Sequence, residues 1–437
     1  MIKITRDTYV PKVEETLGIL SMHNSMMPQY VDFDKIMMEI CYLQIQIEKL
    51  GDVLFQIIGR PPKFDASGNM KMFLVKTGAN LEAFNKTKTD ISLDKVSIAS
   101  AIESGLLTPE CIEVLQAYQK YSVMVHMRGT LISLLQNDMA DMPSCDGHRM
   151  LILRPNWEPQ NTGRVAMQKP AVQNMQHELQ ELLTVPEGYT ILHTDSGQVE
   201  PRIVYSAFIK DPQIQALIRL YNDAYFGLLH YCTMPYSDVQ SKRTDFVKME
   251  ITEQMQAGRK KIKTYGNAVM YGSKSNPAGD PIKDAMIKRI GEHPMRIAMT
   301  DELMEQISRG QNIFYTAFGT PIDISKSPKL DYIAGESEAQ QKLKLAINNP
   351  IQGTAADLMR ISVASANSLL MSRTKKSYII NYVHDAGMFA IHNDELNDVK
   401  DELADIVSYD IEGWLPIYAD PEFGRDGGSR GLIKDLY

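Results

Sequence analysis

The segment SYIINYVHDAGMFAI, Ser377 to Ile391, constrains the fold more than any other. Two apolar runs flank a short His-Asp-Ala-Gly stretch, a pattern that predicts a β-hairpin with an acid at its turn. A second extended run, GYTILHTD from Gly188, also ends in an acid, Asp195. The rest of the chain reads mainly as helix. Residues 33–59 and Pro109 to Gln136 carry apolar side chains at three- and four-residue spacing. The prolines and turn formers of RPPKFDASGN, Arg60 to Asn69, close the first of these helices. Residues 206–330 are mostly helical. Helices, then a strand, then a helical insertion, then a hairpin predict an α+β core whose sheet is interrupted by a helical lobe.

At 437 residues the chain calls for two or three lobes. No apolar run approaches the roughly 18 residues that span a membrane, and the first residues lack the order of a secretory signal. Four cysteines, far apart and without CxxC spacing, suggest neither zinc nor disulfides and fit a reducing, cytoplasmic setting. The net charge of −8 argues mildly against nucleic-acid binding. The distribution argues otherwise, since eleven cations fall between Lys242 and Arg289. A block of this kind is more often a solvated face than a site, unless its spacing carries chemistry.

Three constellations have such spacing. Arg259, Lys263, Asn267 and Tyr271 recur every four residues along one drifting helical face. Two cations, an amide and an aromatic suit a nucleotide triphosphate, although an exposed basic helix with Tyr271 in the core explains the pattern as well. Asp195 and Asp385, presented from strand ends, can hold two divalent ions for nucleotidyl transfer, with oxygen ligands favouring Mg2+ or Mn2+. Asp is also the most ordinary turn residue. NNPIQGTAADLMR, Asn348 to Arg360, reads as a helix N-terminus; Asn348 and Gln352 are able to donate to base edges or sugars in a minor groove.

Taken in order, these segments resemble family A DNA polymerases, the DNA polymerase I family in its phage-type form. TGRVAMQKPAVQNM (Thr162 to Met175) resembles the family's TGR…P…QN segment. DSGQVEPR (Asp195 to Arg202) resembles its first catalytic motif, RKKIKTYGNAVMYG its nucleotide-binding fingers helix, and INNPIQGTAAD is close to its sequence verbatim. VHDA resembles its His-Asp-Glu motif, and NKTKTDISLD, GQNIFYTAFGTPIDI and LPIYADPEFGRDG add weaker agreement.

The resemblance implies a right-hand polymerase fold of α+β class, with a palm sheet, a helical thumb and helical fingers. The N-terminal segment and thumb would occupy 1–150, the palm 151–205 and 331–437, and the fingers 206–330. It implies a primer- and template-dependent DNA polymerase taking dNTPs, with Asp195 and Asp385 catalytic and binding two Mg2+ ions together with the Ser196 carbonyl. Gln198, Glu200, Gln240, Arg259, Lys263, Asn267 and Tyr271 would meet the dNTP, Glu200 excluding a 2′-hydroxyl. Lys86, Lys88, Arg164, Gln173, Asn174, Gly272, Lys344, Asn348, Gln352 and His384 would meet primer–template DNA. A proofreading exonuclease domain is not expected in this chain, so a separate exonuclease or a processivity factor is an expected partner.

Three positions depart from the pattern. Asn267 stands where the family carries Phe or Tyr, Ala386 where it carries Glu beside the second Asp, and Gln240 where a phosphate-contacting His is usual. A single-subunit RNA polymerase relative and a non-catalytic, template-binding replisome subunit are the alternatives.

Overall fold

The computed structural model describes residues 1–5, 10–26, 29–59, 67–84, 91–169, 179, 182–272, 279–327 and 337–424. Among them lies no helix long and apolar enough to cross a membrane. The chain divides into two compact units, the smaller built chiefly from Tyr30–Leu153 and the larger from Met1–Gln29, Arg154–Gln173 and Gly188–Arg425.

Two long helices frame the smaller unit, α1 (Phe33–Ile58) and α2 (Pro109–Leu134). Both start where the sequence supplies a cap. The Asp32 side chain accepts from the Lys35 N–H, and Thr108 accepts from Cys111 with Pro109 in the first turn. Along α1 the buried positions are Ile36, Leu43, Ile47 and Leu54, one stripe at helical spacing. Leu54 joins Met70, Leu74, Ile98 and Leu115 in a core of the unit's own.

In the larger unit β1 (Asn156–Pro159) and β2 (Val165–Gln168) form a hairpin, followed by β3 (Tyr189–Ser196). Helices α3 (Ala224–Thr233) and α4 (Glu253–Met270) come next. A small hairpin of β4 (Ile313–Tyr315) and β5 (Pro321–Asp323) precedes α5 (Glu338–Arg373). Strands β6 (Tyr378–Val383), β7 (Ala386–His392) and β8 (Ala419–Gly424) complete a four-stranded sheet of order β6-β7-β3-β8. The sheet is antiparallel throughout.

Alternation along β3 buries Leu192, Thr194 and Ser196 and turns Asp195 to the opposite face. Leu192 packs with Phe389 and Ile391 of β7 and with Val363 and Ala366 of α5, so α5 backs the sheet on the side away from Asp195.

The segment expected to begin a helix at Asn348 lies inside one. Helix α5 runs 36 residues from a capping box of Ser337 and Gln340, with Pro350 in its interior. Proline lacks the N–H that would pair with the Ala346 carbonyl one turn earlier; on its C-terminal side the Thr354 hydroxyl donates to the Pro350 carbonyl at 2.7 Å. One turn further on, a Cβ at Gly353 would lie 2.5 Å from Ile322 Cδ1 and 2.8 Å from Thr316 Cγ2. Only glycine admits the β4–β5 hairpin this close to the helix.

Candidate active site

The hairpin predicted from the sequence forms, with Val383 paired to Ala386 and only His384 and Asp385 between them. His384 takes φ 54, in the left-handed region that His tolerates better than most residues. Strand β7 then pairs with β3 so that Ala386 faces Asp195, and the Ser196 N–H donates to the Asp385 carbonyl at 2.9 Å. Register alone therefore brings the two acids together. On the other side of β3, Asp420 of β8 pairs directly with Asp195, an acid the sequence reading did not single out.

Arg164, at the β1–β2 turn, reaches into this acidic group. Its Nη2 lies 3.1 Å from Glu200 Oε1 and 3.3 Å from Asp385 Oδ1. Tyr271 donates its phenolic hydrogen to Glu200 Oε2 at 2.9 Å. Burial, then the Glu200 charge, pushes the Tyr271 hydroxyl well up, so it stays a donor. The Asp385 carboxyl is pushed up to about 6, first by burial and then by Glu200 and Asp195, with Arg164 opposing. Five side chains from distant parts of the chain thus form one charged cluster: Arg164, Asp195, Glu200, Tyr271 and Asp385.

A second cluster forms around Asp223, which caps α3 through the Phe226 N–H. Its Oδ2 accepts from Arg259 Nε at 3.0 Å, Arg259 Nη2 at 2.7 Å and Gln198 Nε2 at 2.7 Å. Burial works against ionisation of Asp223, but the hydrogen bonds from Arg259, Phe226 and Gln198 outweigh it and hold the carboxyl below its usual range. Tyr225 and Phe226 present their rings to the Arg259 guanidinium at 5.5 and 5.3 Å. Lys263, one turn along α4, is exposed.

Lys344, Asn348 and Gln352 recur every four residues on α5 and so share a face. Among the described residues the buried Asn348 Oδ1 has no hydrogen-bond partner. Just beyond α4, Gly272 takes φ 106, and a Cβ there would stand 3.3 Å from Arg296 Nη2.

The chain has known relatives. The model of DNA polymerase family A matches residues 41–427. The chain belongs to DNA polymerase family A. DNA polymerase I of Caldicellulosiruptor bescii is 22% identical over 402 residues, covering 87% of this chain and 42% of that protein. For DNA polymerase I of Aquifex aeolicus the identity is 23%, covering 55% of this chain and 39% of that protein. A DNA polymerase of Bacillus phage SP01 is 30% identical over 119 residues, a quarter of this chain (25%) and 13% of the phage protein. This chain therefore spans less than half the length of these relatives. Among solved structures, the POL domain of Pol1 from M. smegmatis, in complex with DNA primer-template and dNTP, aligns with a TM-score of 0.72 at 19% identity. That alignment covers 95% of this chain and 70% of the mycobacterial one. The fold is the α+β right-hand polymerase fold of family A.

Two further results qualify the sequence reading. Gln240 ends a short helix, Tyr236–Gln240, and is exposed; among the described residues it is Asp223, Tyr225 and Phe226 that stand against Arg259. Gln198 spends its amide on Asp223 and on the Ala224 N–H. Lys86, Lys88, Gln173, Asn174 and the side chain of Asn267 lie outside the described residues. The reading missed Asp223, whose position before an apolar run is also that of an ordinary helix cap.

Proposed function

We propose that this family A chain is a template-directed DNA polymerase. It joins the 3′-hydroxyl of a primer to the α-phosphate of a dNTP and releases pyrophosphate. One observation carries the reading: the pairing of β3 with the β6–β7 hairpin sets Asp195 beside Asp385, with Arg164 and Glu200 in contact at the same point. The family and the mycobacterial neighbour, a complex with primer-template and dNTP, support it.

The donor set fits a hard divalent cation. It consists of oxygen donors, two carboxylates and a backbone carbonyl, and Glu200 adds a further negative charge beside Asp385 that Arg164 bridges. Asp195, Asp385 and the Ser196 carbonyl would hold Mg2+ or Mn2+, two ions supplying electrostatic stabilisation to the transferring phosphoryl group. Arg259 and Lys263 hold the triphosphate. Tyr271 fixes Glu200, whose carboxylate occupies the space of a 2′-hydroxyl. Arg164, Gln352 and His384 position the primer terminus, supported by Lys344, Asn348 and Gly272. The smaller unit corresponds to the thumb, residues 206–330 to the fingers, and the sheet with α5 to the palm.

Primer extension with Mg2+, comparing dNTPs with NTPs, tests the reading. Extension that prefers dNTPs upholds it. Equal use of NTPs favours an RNA polymerase, and no extension by a folded protein that binds primer–template favours a non-catalytic role.

A further inference from the structure

Helix α5 carries a buried ion pair that the proposed reaction does not use. Asp357 is 0% exposed and Arg360 2%. Asp357 accepts from Thr316 Oγ1 at 2.6 Å and Thr320 Oγ1 at 2.9 Å, both in the turn of the β4–β5 hairpin, and from Arg360 Nη2. The other end of the guanidinium donates from Nη1 to the Gly163 carbonyl at 2.7 Å. Gly163 holds φ 78, and a Cβ there would approach Arg360 Nη1 to 3.0 Å. The next residue is Arg164.

Burying two charges carries a desolvation penalty of several kcal/mol per ion, and well-packed apolar residues of similar volume are commonly as stable. Stability alone therefore explains the pair poorly. Its geometry explains it better. A planar guanidinium offers two parallel donors at a fixed angle, so a carboxylate on one side fixes the direction of the other. Here the second donor takes hold of the peptide immediately before Arg164. The β1–β2 turn is closed independently by the Gly163 N–H on the Gln160 carbonyl and the Gln160 N–H on the Arg164 carbonyl, both 2.8 Å. Arg360 ties that closed turn to α5, and Asp357 ties α5 to the β4–β5 hairpin.

We infer that Asp357 and Arg360 are positioning residues that set where the Arg164 guanidinium stands against Glu200 and Asp385, and through it the sugar selectivity of the site. The inference rests on the polymerase reading above. Arg164 is the cation shared by the gate acid and the hairpin acid; letting its backbone shift loosens both contacts, because side-chain hydrogen bonds weaken steeply as distance and angle degrade.

The test is a double-mutant cycle on the full chain with Arg360→Lys and Arg164→Ala, alongside thermal unfolding of each variant. The substituted lysine keeps the charge beside Asp357 but offers a single point donor, so the Gly163 contact is lost first. Arg360→Lys alone should raise ribonucleotide over deoxyribonucleotide insertion about fivefold, and in the Arg164→Ala background it should add nothing. Thr320→Val, which removes one hydroxyl from Asp357, should move selectivity the same way with less risk to folding. Lowered stability with unchanged selectivity, or the same change with and without Arg164, overturns the inference. If the unmutated protein extends no primer, the polymerase reading fails, and Mn2+ affinity measured by electron paramagnetic resonance runs the same cycle. Arg164→Ala should then tighten Mn2+ binding, Arg360→Lys less so, and the double variant no more than Arg164→Ala. An Arg360→Lys effect that adds in full to that of Arg164→Ala overturns the inference.

Discussion

Arg259 and Asp223 form an ion pair in which both Nε and Nη2 of the guanidinium converge on one carboxylate oxygen, at 3.0 and 2.7 Å. A triphosphate that engages Arg259 must compete with that oxygen. Asp223→Asn keeps an effective helix cap, since Asn serves at this position as well as Asp, and removes the competing charge. The variant should show a dNTP KM lowered about fivefold, the roughly 1 kcal/mol of a partly exposed ion pair. A KM that stays the same or rises in steady-state extension would mean that the carboxylate orients Arg259 rather than competing for it.

Glu200 is held from two sides, by the Tyr271 hydroxyl and by Arg164. Glu200→Ala should raise NTP insertion relative to dNTP by at least about tenfold, or roughly 1.4 kcal/mol. Tyr271→Phe, which removes one hydroxyl and keeps the ring, should move selectivity in the same direction by a smaller factor. Single-nucleotide insertion with matched ribo- and deoxyribonucleotides measures both, and an unchanged ratio in Glu200→Ala removes the gate.

The two facing acids give the most drastic expectation. Asp195→Ala and Asp385→Ala should each abolish extension while leaving primer–template affinity within a few-fold, because the loss falls on the ions that stabilise the transferring group. Near-normal turnover in either variant, read on a gel, contradicts the metal-binding assignment.

Acid sensitivity should come in part from Asp211, away from the site. It caps the helix Pro212–Tyr221 through the Ile214 N–H and meets His293 Nε2 at 3.1 Å. The His293 Nδ1 accepts from the Met295 N–H, which leaves Nε2 as the donor to Asp211. Burial opposes ionisation of Asp211, but the bonds from His293 and Ile214 prevail and its carboxyl lies below the usual range. A carboxyl lowered on folding stabilises the protein above its unfolded value, near 3.9, and that contribution disappears as pH falls through the lower folded value. Asp211→Asn should therefore cost about 1–2 kcal/mol at pH 7. The gap in Tm between variant and parent should close below about pH 4; a gap independent of pH means that the Asp211 charge is not its source.

What the sequence disclosed and what it hid have physical causes. The hairpin around Asp385 and the strand ending at Asp195 were legible because alternation and turn chemistry are local signals. So were α1 and α2, which show apolar spacing between caps. Helix α5 was misread at Pro350 because proline ordinarily marks a first turn, and the tertiary packing that carries this helix through it is invisible to periodicity. Asp223, Asp357 and Asp420 each resemble a commonplace residue, a cap, a helix-surface acid and an edge-strand acid. What distinguishes them is a partner far away in sequence: Arg259, Thr316 and Asp195. Tyr225 presents its ring to Arg259 for the same reason.

The pairing of β3 with β7 runs unbroken from Asp195 opposite Ala386 to Tyr189 opposite His392. Because side chains alternate, a slip of one residue would turn Asp195 into the packed layer and offer Thr194 in its place. The reaction centre is in this sense a reading frame. A single-codon insertion or deletion inside either strand should be as damaging as loss of the acid itself. The same change at Asn393 or Asp394, beyond the last pair, leaves the frame intact.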